Sequence, residues 1–284
     1  MAESTLVQRV KDRIADCGKE LMELTSRLVQ FPTVVPPGYI DECIAFAQSY
    51  FQERGIETSL HQHVERKPNL CATIPGKQPG KILWLGHLDV VPEGDHAAWK
   101  HPPFSGAIEG DRVYGRGATD MKGSCAAAMV AATVLHAVAQ GAHPTLEVWL
   151  TADEEIGGED GAKWLAEAGK LQGDVCVIGD ASGGTRERPT IELGCKGGMA
   201  TVLQAQGVTA HGSQPYLGEN AIEKLLAVIP HVKRIADFPL DIPAELEPVI
   251  QTSIDFLLED PSLTPEQRDA VRRLYHYPTV SLNI

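Results

Sequence analysis

The stretch KILWLGHLDVVP, residues 81–92, is apolar from Ile82 to Gly86 and contains a histidine and an aspartate in its second half. A continuous run, without polar alternation, is typical of a strand that is buried on both faces of a sheet. Because side chains alternate along an extended segment, His87 and Asp89 would lie on one face. That geometry suits a metal-binding histidine beside a carboxylate that orients its ring, although the triplet alone also fits a structural role at a strand end.

The segments around this strand predict an α/β fold, a mixed sheet with crossover helices. Apolar or alternating runs predict further strands at residues 57–62, 69–74 and 145–152 and in the run DVCVIGD, residues 174–180. Helical spacing or composition predicts helices at residues 4–28, 39–54, 121–140 and 159–168. Ligands of such sheets bind beyond the carboxyl ends of the strands, so the site is expected there.

After about Arg188 the sequence changes character, which predicts a division into two domains, residues 1–188 and 189–284. Residues 191–213 are typical of strands joined by a Gly-rich turn, and residues 218–236 of a helix. A short helix from Thr264 to Tyr275 and a strand-like end complete a second domain, which is predicted to be α+β.

Composition narrows the class of protein. The chain has 284 residues, of which 43% are hydrophobic and 22% charged, as in ordinary globular proteins. The charged N-terminus lacks the apolar core of a signal peptide, and no run reaches the ~20 apolar residues of a membrane span, so a soluble cytoplasmic protein is expected. The net charge of −13 argues against nucleic acid or an anionic membrane as the main partner. Six cysteines without a CxxC pair indicate reduced, mostly buried thiols: Cys17, Cys43, Cys71, Cys125, Cys176 and Cys195.

Carboxylates stand at the boundaries of the other apolar runs. Glu154 and Glu155 follow the strand in LTADEEIGG, Asp180 follows VCVIG, and Asp120 precedes the long Ala-rich helix in GRGATDMKG. Strand ends of one sheet would bring these groups to the same crevice as His87. One histidine with several carboxylate oxygens suits Zn²⁺ or a similar divalent ion, so the set predicts a two-metal hydrolytic site.

The segment GRGATDMKG does not form a phosphate-binding loop. Asp120 stands where a GxGxxG fingerprint requires its third glycine, and no GK[ST] sequence follows. A carboxylate at this position would repel phosphate but could bridge two cations. Asp120 could also cap the helix that follows it.

Adjacent acids after a buried strand repel each other unless a positive charge compensates them. A divalent ion would do so, with one glutamate as ligand and the other as the general base for a metal-activated water. Asp153 and Glu159 lie close by in the sequence, so the stretch also fits a solvated acidic turn. Asp180 alone fits a ligand or an ordinary loop carboxylate, and His211 fits a substrate-contacting donor or a turn histidine.

Taken in chain order, these segments closely resemble the M20 metallopeptidase family, nearest its acetylornithine deacetylase and succinyl-diaminopimelate desuccinylase members. The resemblance covers nearly the whole chain. It rests on Pro36-Pro37-Gly38, HLDVVP, the stretch from Trp99 to Phe104, GRGATDMKG, TADEE, the strand-end Asp180 and AHGSxP.

The resemblance implies a role for each residue of the metal site. His87, Asp120 and Asp180 would hold one Zn²⁺ or Co²⁺, since both ions accept these ligands. Asp120 would bridge to a second ion bound by Glu155. Family members more often carry glutamate where Asp180 stands.

The resemblance also assigns the catalytic groups and the substrate class. Glu154 would be the general base and acid, and Asp89 would orient His87. His211 would steady the oxyanion from a lid domain, often across a dimer, so a homodimer through residues 189–284 is implied. The expected activity is hydrolysis of an amide bond in a small N-acyl amino acid.

One feature of the family pattern is missing. The family closes its second metal site with a late histidine of the catalytic domain, whereas this sequence stops at Ile284 inside what resembles the lid. Residues 1–188 would then be only the N-terminal portion of the catalytic domain, and the chain is expected to be truncated. The alternatives are a dipeptidase or carboxypeptidase of the same family, or an inactive chain that only binds metal or dimerises.

Overall fold

The computed structural model describes residues 2–180, 190–192 and 194–282. The chain divides into two compact units, Met1–Ile191 and Glu192–Ile284. The predicted domain boundary between residues 188 and 189 lies outside the described residues.

The first unit contains all the strands that the structure describes and five of the helices. The strands are β1 (Glu57–Gln62), β2 (Pro68–Ile74), β3 (Gln78–His87), β4 (Ala107–Glu109), β5 (Arg112–Tyr114), β6 (Pro144–Thr151) and β7 (Val175–Ile178). The helices are α1 (Ala2–Ala15), α2 (Gly18–Val29), α3 (Asp41–Gln52), α4 (Gly123–Ala139) and α5 (Ala162–Glu167). The predicted single helix over residues 4–28 was wrong: it is two helices, and Gly18 begins the second.

Five strands form one sheet in the order β1-β2-β6-β3-β7, and β4 pairs with β5 separately. β6 runs antiparallel to β2 and parallel to β3, while β7 runs parallel to β3. The chain crosses from β3 to β6 through α4 and from β6 to β7 through α5. The predicted mixed α/β sheet with crossover helices is therefore confirmed, and the parallel pairing of β3, β6 and β7 aligns their carboxyl ends.

Both faces of the sheet are covered. Leu70 and Leu150 belong to the main core cluster, which also takes residues from α2, α3 and α4. The next residues along these strands, Cys71 and Trp149, belong to a smaller core cluster on the opposite face, together with Leu165 of α5. This alternation buries the central strands on both sides, as the continuous apolar runs predicted.

The short connection between β2 and β3 is unusual, because these consecutive strands do not pair with each other. Residues 75–77 cross the start of β6, which lies between the two strands. Lys77 N donates to Gly141 O at 2.8 Å, and a Cβ on Gly76 would lie 2.0 Å from the backbone oxygen of His143. Only glycine fits this crossing without displacing the backbone beneath it.

Among the described residues, one stretch, Ala118–Ala139, which consists of α4 and the five residues before it, has the length and apolar character that a membrane span requires. Half of its most apolar part is buried within the structure. Cys125, Met129 and Ala132 are fully buried in the main core cluster, which is the packing of a core helix.

The second unit differs from its prediction. Its helices are α6 (Ala221–Lys233), α7 (Glu247–Leu258) and α8 (Pro265–Arg273). Within the described residues, 190–192 and 194–213 form no strand beyond a single bridge between Val208 and Glu219, and 278–282 are not a strand. These glycine-rich residues have no partner strand in the described part of the unit to complete their hydrogen bonds. Sequence reasoning also missed α7, whose Pro248 falls in the first turn, where it is tolerated.

Candidate metal centre

His87 ends β3 and is 1% exposed. Its Nδ1 lies 3.0 Å from the backbone oxygen of Asp89, which can only accept, so Nδ1 carries a proton. Nε2 lies 3.0 Å from Oδ1 of Asp120. Burial opposes protonation of the ring, but the surrounding carboxylates, Asp89 foremost, outweigh it and raise the pKa of His87. With Nδ1 protonated, Nε2 and the Asp120 oxygen are two acceptors facing each other unless a proton or a cation lies between them.

Asp120 lies in a non-helical kink between β5 and α4. Its backbone is extended, with φ −119° and ψ 101°, and its side chain is 52% exposed. The preceding Gly117 has φ +82°, and a Cβ there would lie 2.6 Å from Val90 Cγ1. α4 begins only at Gly123, and no side chain caps it. The capping role considered for Asp120 is therefore not observed, and its carboxylate faces His87 instead.

Glu154 and Glu155 lie in one turn of 3-10 helix that is separated from the end of β6 by two residues. The carboxylate of Asp89, which is fully buried, accepts from both backbone amides, at 3.2 Å from Glu154 and 3.1 Å from Glu155. Asp89 thus contacts His87 through its backbone carbonyl, while its carboxylate holds the turn. The Oδ1 atom of Asp89 lies 3.6 Å from Nδ1 of His87. Burial raises the pKa of Asp89, and His87 and the two amides oppose that effect.

His87, Asp120 and Glu155 form a group that could hold a metal ion, since each offers a ligand atom and these atoms all lie within 4.8 Å of one another. Glu154 stands beside this group, with Oε2 3.6 Å from Nε2 of His87. Asp180 is exposed and lies outside the group, but it is near enough to Glu154 to raise the pKa of that carboxyl. The predicted residues of the first unit therefore lie close together, with Asp180 at the margin.

The electrostatics of this group favour a cation. Burial raises the pKa of Glu154. His87 lowers that pKa, whereas the negative charges of Asp180, Asp89 and Asp120 raise it further. Burial and the neighbouring Asp120 likewise raise the pKa of Glu155. Around the imidazole of His87, the four carboxylates of Asp89, Asp120, Glu154 and Glu155 carry an excess of negative charge that a divalent ion would neutralise. Nitrogen with oxygen donors suits Zn²⁺ or Co²⁺.

The turn is supported by residues that sequence reasoning did not identify. Nζ of Lys67 lies 2.6 Å from Oδ1 of Asp153 and 2.8 Å from Oδ2 of Asp160. Asp153 is 2% exposed, so this part of the stretch is not a solvated acidic turn, whereas Glu159 is exposed and pairs with Lys163. No motif links Lys67 to carboxylates more than eighty positions away, and only the pairing of β2 with β6 brings them together.

The contact between Lys67 and Asp160 should make the stability of the fold depend on pH. The hydrogen bond from Lys67 is the main cause that lowers the pKa of Asp160 below its ordinary value of 3.8. A depressed folded-state pKa stabilises the fold above the unfolded-state pKa, and that contribution is lost as the pH falls through the folded-state pKa. Asp160→Asn should therefore be less stable than wild type at about pH 7, and the difference should shrink below about pH 4. Urea unfolding across this range measures it, and a difference that does not change with pH would contradict the assignment.

His211 belongs to the second unit. It is exposed, and its Nδ1 lies 2.8 Å from Oγ of Ser213 and accepts from the Ser213 amide at 3.2 Å. These contacts are those of a turn histidine. A role toward substrate remains a prediction.

Comparison with known proteins identifies the family. The family model described as Peptidase family M20/M25/M40 matches residues 83–282. A succinyl-diaminopimelate desuccinylase of Paracoccus denitrificans is 35% identical over 229 residues, covering 77% of this chain and 56% of the relative. Another, of Rhodopseudomonas palustris, is 37% identical over 235 residues, covering 78% of this chain and 58% of the relative. The chain thus spans little more than half the length of these curated relatives.

The fold is also that of a solved structure. An M20 family metallo-carboxypeptidase from Sulfolobus solfataricus superposes with a TM-score of 0.70 at 22% identity, covering 92% of this chain and 64% of that one. The family match includes the second half of β3 and every candidate ligand, and the predicted resemblance is confirmed. On these matches, the chain belongs to the peptidase family M20/M25/M40.

Proposed function

We propose that this chain acts in metal-dependent hydrolysis of an amide bond in N-acyl amino acids, of the deacetylase or desuccinylase type. The observation that carries the proposal is the possible metal-binding group of His87, Asp120 and Glu155. Glu154 is not part of this group, but its carboxylate lies next to it. The desuccinylase relatives support the N-acyl amino acid as substrate class.

The residues proposed to hold a pair of divalent ions are His87, Asp120, Glu155 and Asp180, with Asp120 shared between the ions. Zn²⁺ is the proposed metal, and Co²⁺ would be accepted by the same donors. Bound there, such ions would polarise the amide carbonyl and lower the pKa of a water molecule from roughly 16 to about 7. The mutual closeness of the ligand atoms and the raised pKa values of both glutamates support this assignment.

Glu154 is proposed to move the proton. Its carboxylate takes a proton from water as the water oxygen bonds to the carbonyl carbon, and it returns that proton to the nitrogen as the carbon–nitrogen bond breaks. The products are a carboxylate and a free amine. A raised pKa suits both halves of this transfer, and the Asp89 carboxylate, through the amides of Glu154 and Glu155, holds the base in place.

The second unit is proposed to contribute a homodimer interface and, through His211, a donor that steadies the oxyanion. The family resemblance carries this part, and the exposure of His211 is compatible with it. Sedimentation velocity of the chain tests the dimer separately from the chemistry.

A substrate panel tests the proposed activity. The chain, loaded with Zn²⁺ or Co²⁺, is assayed against N-succinyl and N-acetyl amino acids and against dipeptides. We expect release of free amine from an N-acyl amino acid, its loss with a chelator and its return when the ion is added back. Faster cleavage of dipeptides would favour a peptidase instead. A preparation that binds the ion and hydrolyses no member of the panel would refute the proposal for this chain.

A further inference from the structure

The turn that carries Glu154 and Glu155 is held from both strands that flank β6. On the β3 side, Asp89 accepts from the two glutamate amides, as described above. On the β2 side, the contacts come from Lys67, one residue before that strand, and from Asn69 within it. The first set belongs to the metal centre itself, whereas the second contacts neither His87 nor Asp120 in any described hydrogen bond.

Lys67 forms the centre of a buried ion cluster. The residue is 9% exposed, and its ammonium contacts one carboxylate at each end of the loop, Asp153 at 2.6 Å and Asp160 at 2.8 Å. Each carboxylate has a further partner: Asp153 Oδ2 accepts from the Asp160 amide at 3.2 Å, and Asp160 Oδ1 lies 3.2 Å from Nδ1 of His63. Without Lys67, two carboxylates would face each other with little solvent to separate them.

Asn69 ties the same two ends through their backbones. Its Oδ1 accepts from the Ala152 amide at 3.0 Å, and its Nδ2 donates to the Asp160 oxygen at 3.0 Å. Gly161 lies so close to the end of β6 that a Cβ there would be 1.8 Å from the Ala152 oxygen. The loop from residue 152 to residue 161 is thus closed on itself and fastened to β2.

The backbone of Asp153 makes the Lys67 contact consequential. Asp153 has φ +69°, a left-handed conformation that residues other than glycine rarely adopt, and it immediately precedes Glu154. Its carboxylate is bound by Lys67 and by the Asp160 amide, so the surrounding contacts maintain that conformation. The left-handed turn at Asp153 sets the direction in which the two glutamates leave β6.

We propose that Lys67 is a positioning residue: its ion cluster with Asp153 and Asp160 fixes the turn that presents Glu154 as the base and Glu155 as a ligand. This inference rests on the proposed function for the roles of the two glutamates. In the described contacts the ammonium of Lys67 binds only the two loop carboxylates, so its proposed effect on the metal centre passes through the loop.

Hydrogen exchange of the metal-free chain is the primary test, with Lys67→Met as the variant. The matched control is Lys81→Met, which removes another lysine–carboxylate contact across the same sheet, to Glu147 at 2.6 Å, away from the loop. We expect amides of residues 152–161 to exchange at least about tenfold faster in Lys67→Met than in the control, while β3 and β6 keep their protection. Equal loop exchange in both variants overturns the inference.

Asp160→Asn covers the case in which Lys67→Met does not fold. It removes one of the two carboxylates and keeps an acceptor for Lys67, so we expect exchange of the loop amides to rise about threefold more than exchange of the sheet amides. Loop exchange at the wild-type rate in this variant overturns the inference.

Metal binding and kinetics provide the readouts that a purely structural residue would not move. Lys67→Met should weaken Co²⁺ binding, followed by visible absorption, by about 10–100-fold and lower kcat by a similar factor, with KM changed less than about threefold. Lys81→Met should match wild type in each. A wild-type chain that hydrolyses nothing refutes the proposed function alone, because the exchange comparison needs neither metal nor substrate.

Discussion

Glu154→Gln should lower kcat for amide hydrolysis by about 10²–10⁴-fold, the usual cost of removing a general base. Glutamine keeps the size and hydrogen-bonding geometry of the side chain but cannot accept the proton from water. Its backbone amide would still donate to Asp89, so the turn and the position of Glu155 should persist. Steady-state assays on the best substrate of the panel measure the loss, and Co²⁺ affinity should stay at the wild-type value.

Glu159→Gln is the matched control for that variant. Glu159 lies in the same loop, is exposed and pairs only with Lys163 among the contacts described. Its replacement should leave kcat within about twofold of wild type. If Glu154→Gln retains the full rate, another group takes the proton and the assignment of the base is wrong.

Asp120→Asn should have the largest effect on metal binding. Asp120 is the proposed ligand of both ions, and its carboxylate faces His87 Nε2 at 3.0 Å. An amide oxygen carries no charge and so bridges two cations poorly. Replacing a residue that only hydrogen-bonds to a metal ligand lowers metal affinity by about 10–100-fold. Loss of a direct ligand should have a larger effect, so this variant should bind Co²⁺ at least about 100-fold more weakly and lose turnover.

Calorimetric titration with Zn²⁺ or Co²⁺ measures this change. Asp12→Asn, at an exposed position on α1 that accepts from Gln8, is the control and should titrate as wild type does. A variant at Asp120 that binds both ions normally would remove this residue from the site. Near-normal binding of one ion and loss of the other would instead show that Asp120 serves a single metal.

The sequence predicted the sheet because its central strands are continuous apolar runs, such as residues 81–86 and 145–152. The closeness of His87, Glu154 and Glu155 followed from one general property, the alignment of strand ends in β3 and β6. Strand order did not follow, because nothing local in the sequence says that β6 enters between β2 and β3. Without that order, Lys67 could not be linked to Asp153.

Two other features depended on contacts that a single sequence does not encode. The carboxylate of Asp89 accepts hydrogen bonds from the amides of Glu154 and Glu155. Every residue except proline has a backbone amide, so the sequence does not indicate which amides a carboxylate will bind. The strands expected in residues 191–213 are absent from the described part of that stretch for a related reason, since a strand requires a partner to complete its hydrogen bonds. Local propensity indicates a possible strand, whereas pairing decides whether it forms.

The crossing at residues 75–77 has a consequence for how the first unit folds. β2 and β3 are separated by three residues, and the fastest event open to them is to pair as a hairpin, which closes the smallest loop. The native sheet requires them to stay apart until β6 arrives from more than fifty residues further along the chain. His87 and the two glutamates reach their native separation only once β6 lies between these strands, so a β2–β3 hairpin that formed first would have to open before the metal centre could assemble.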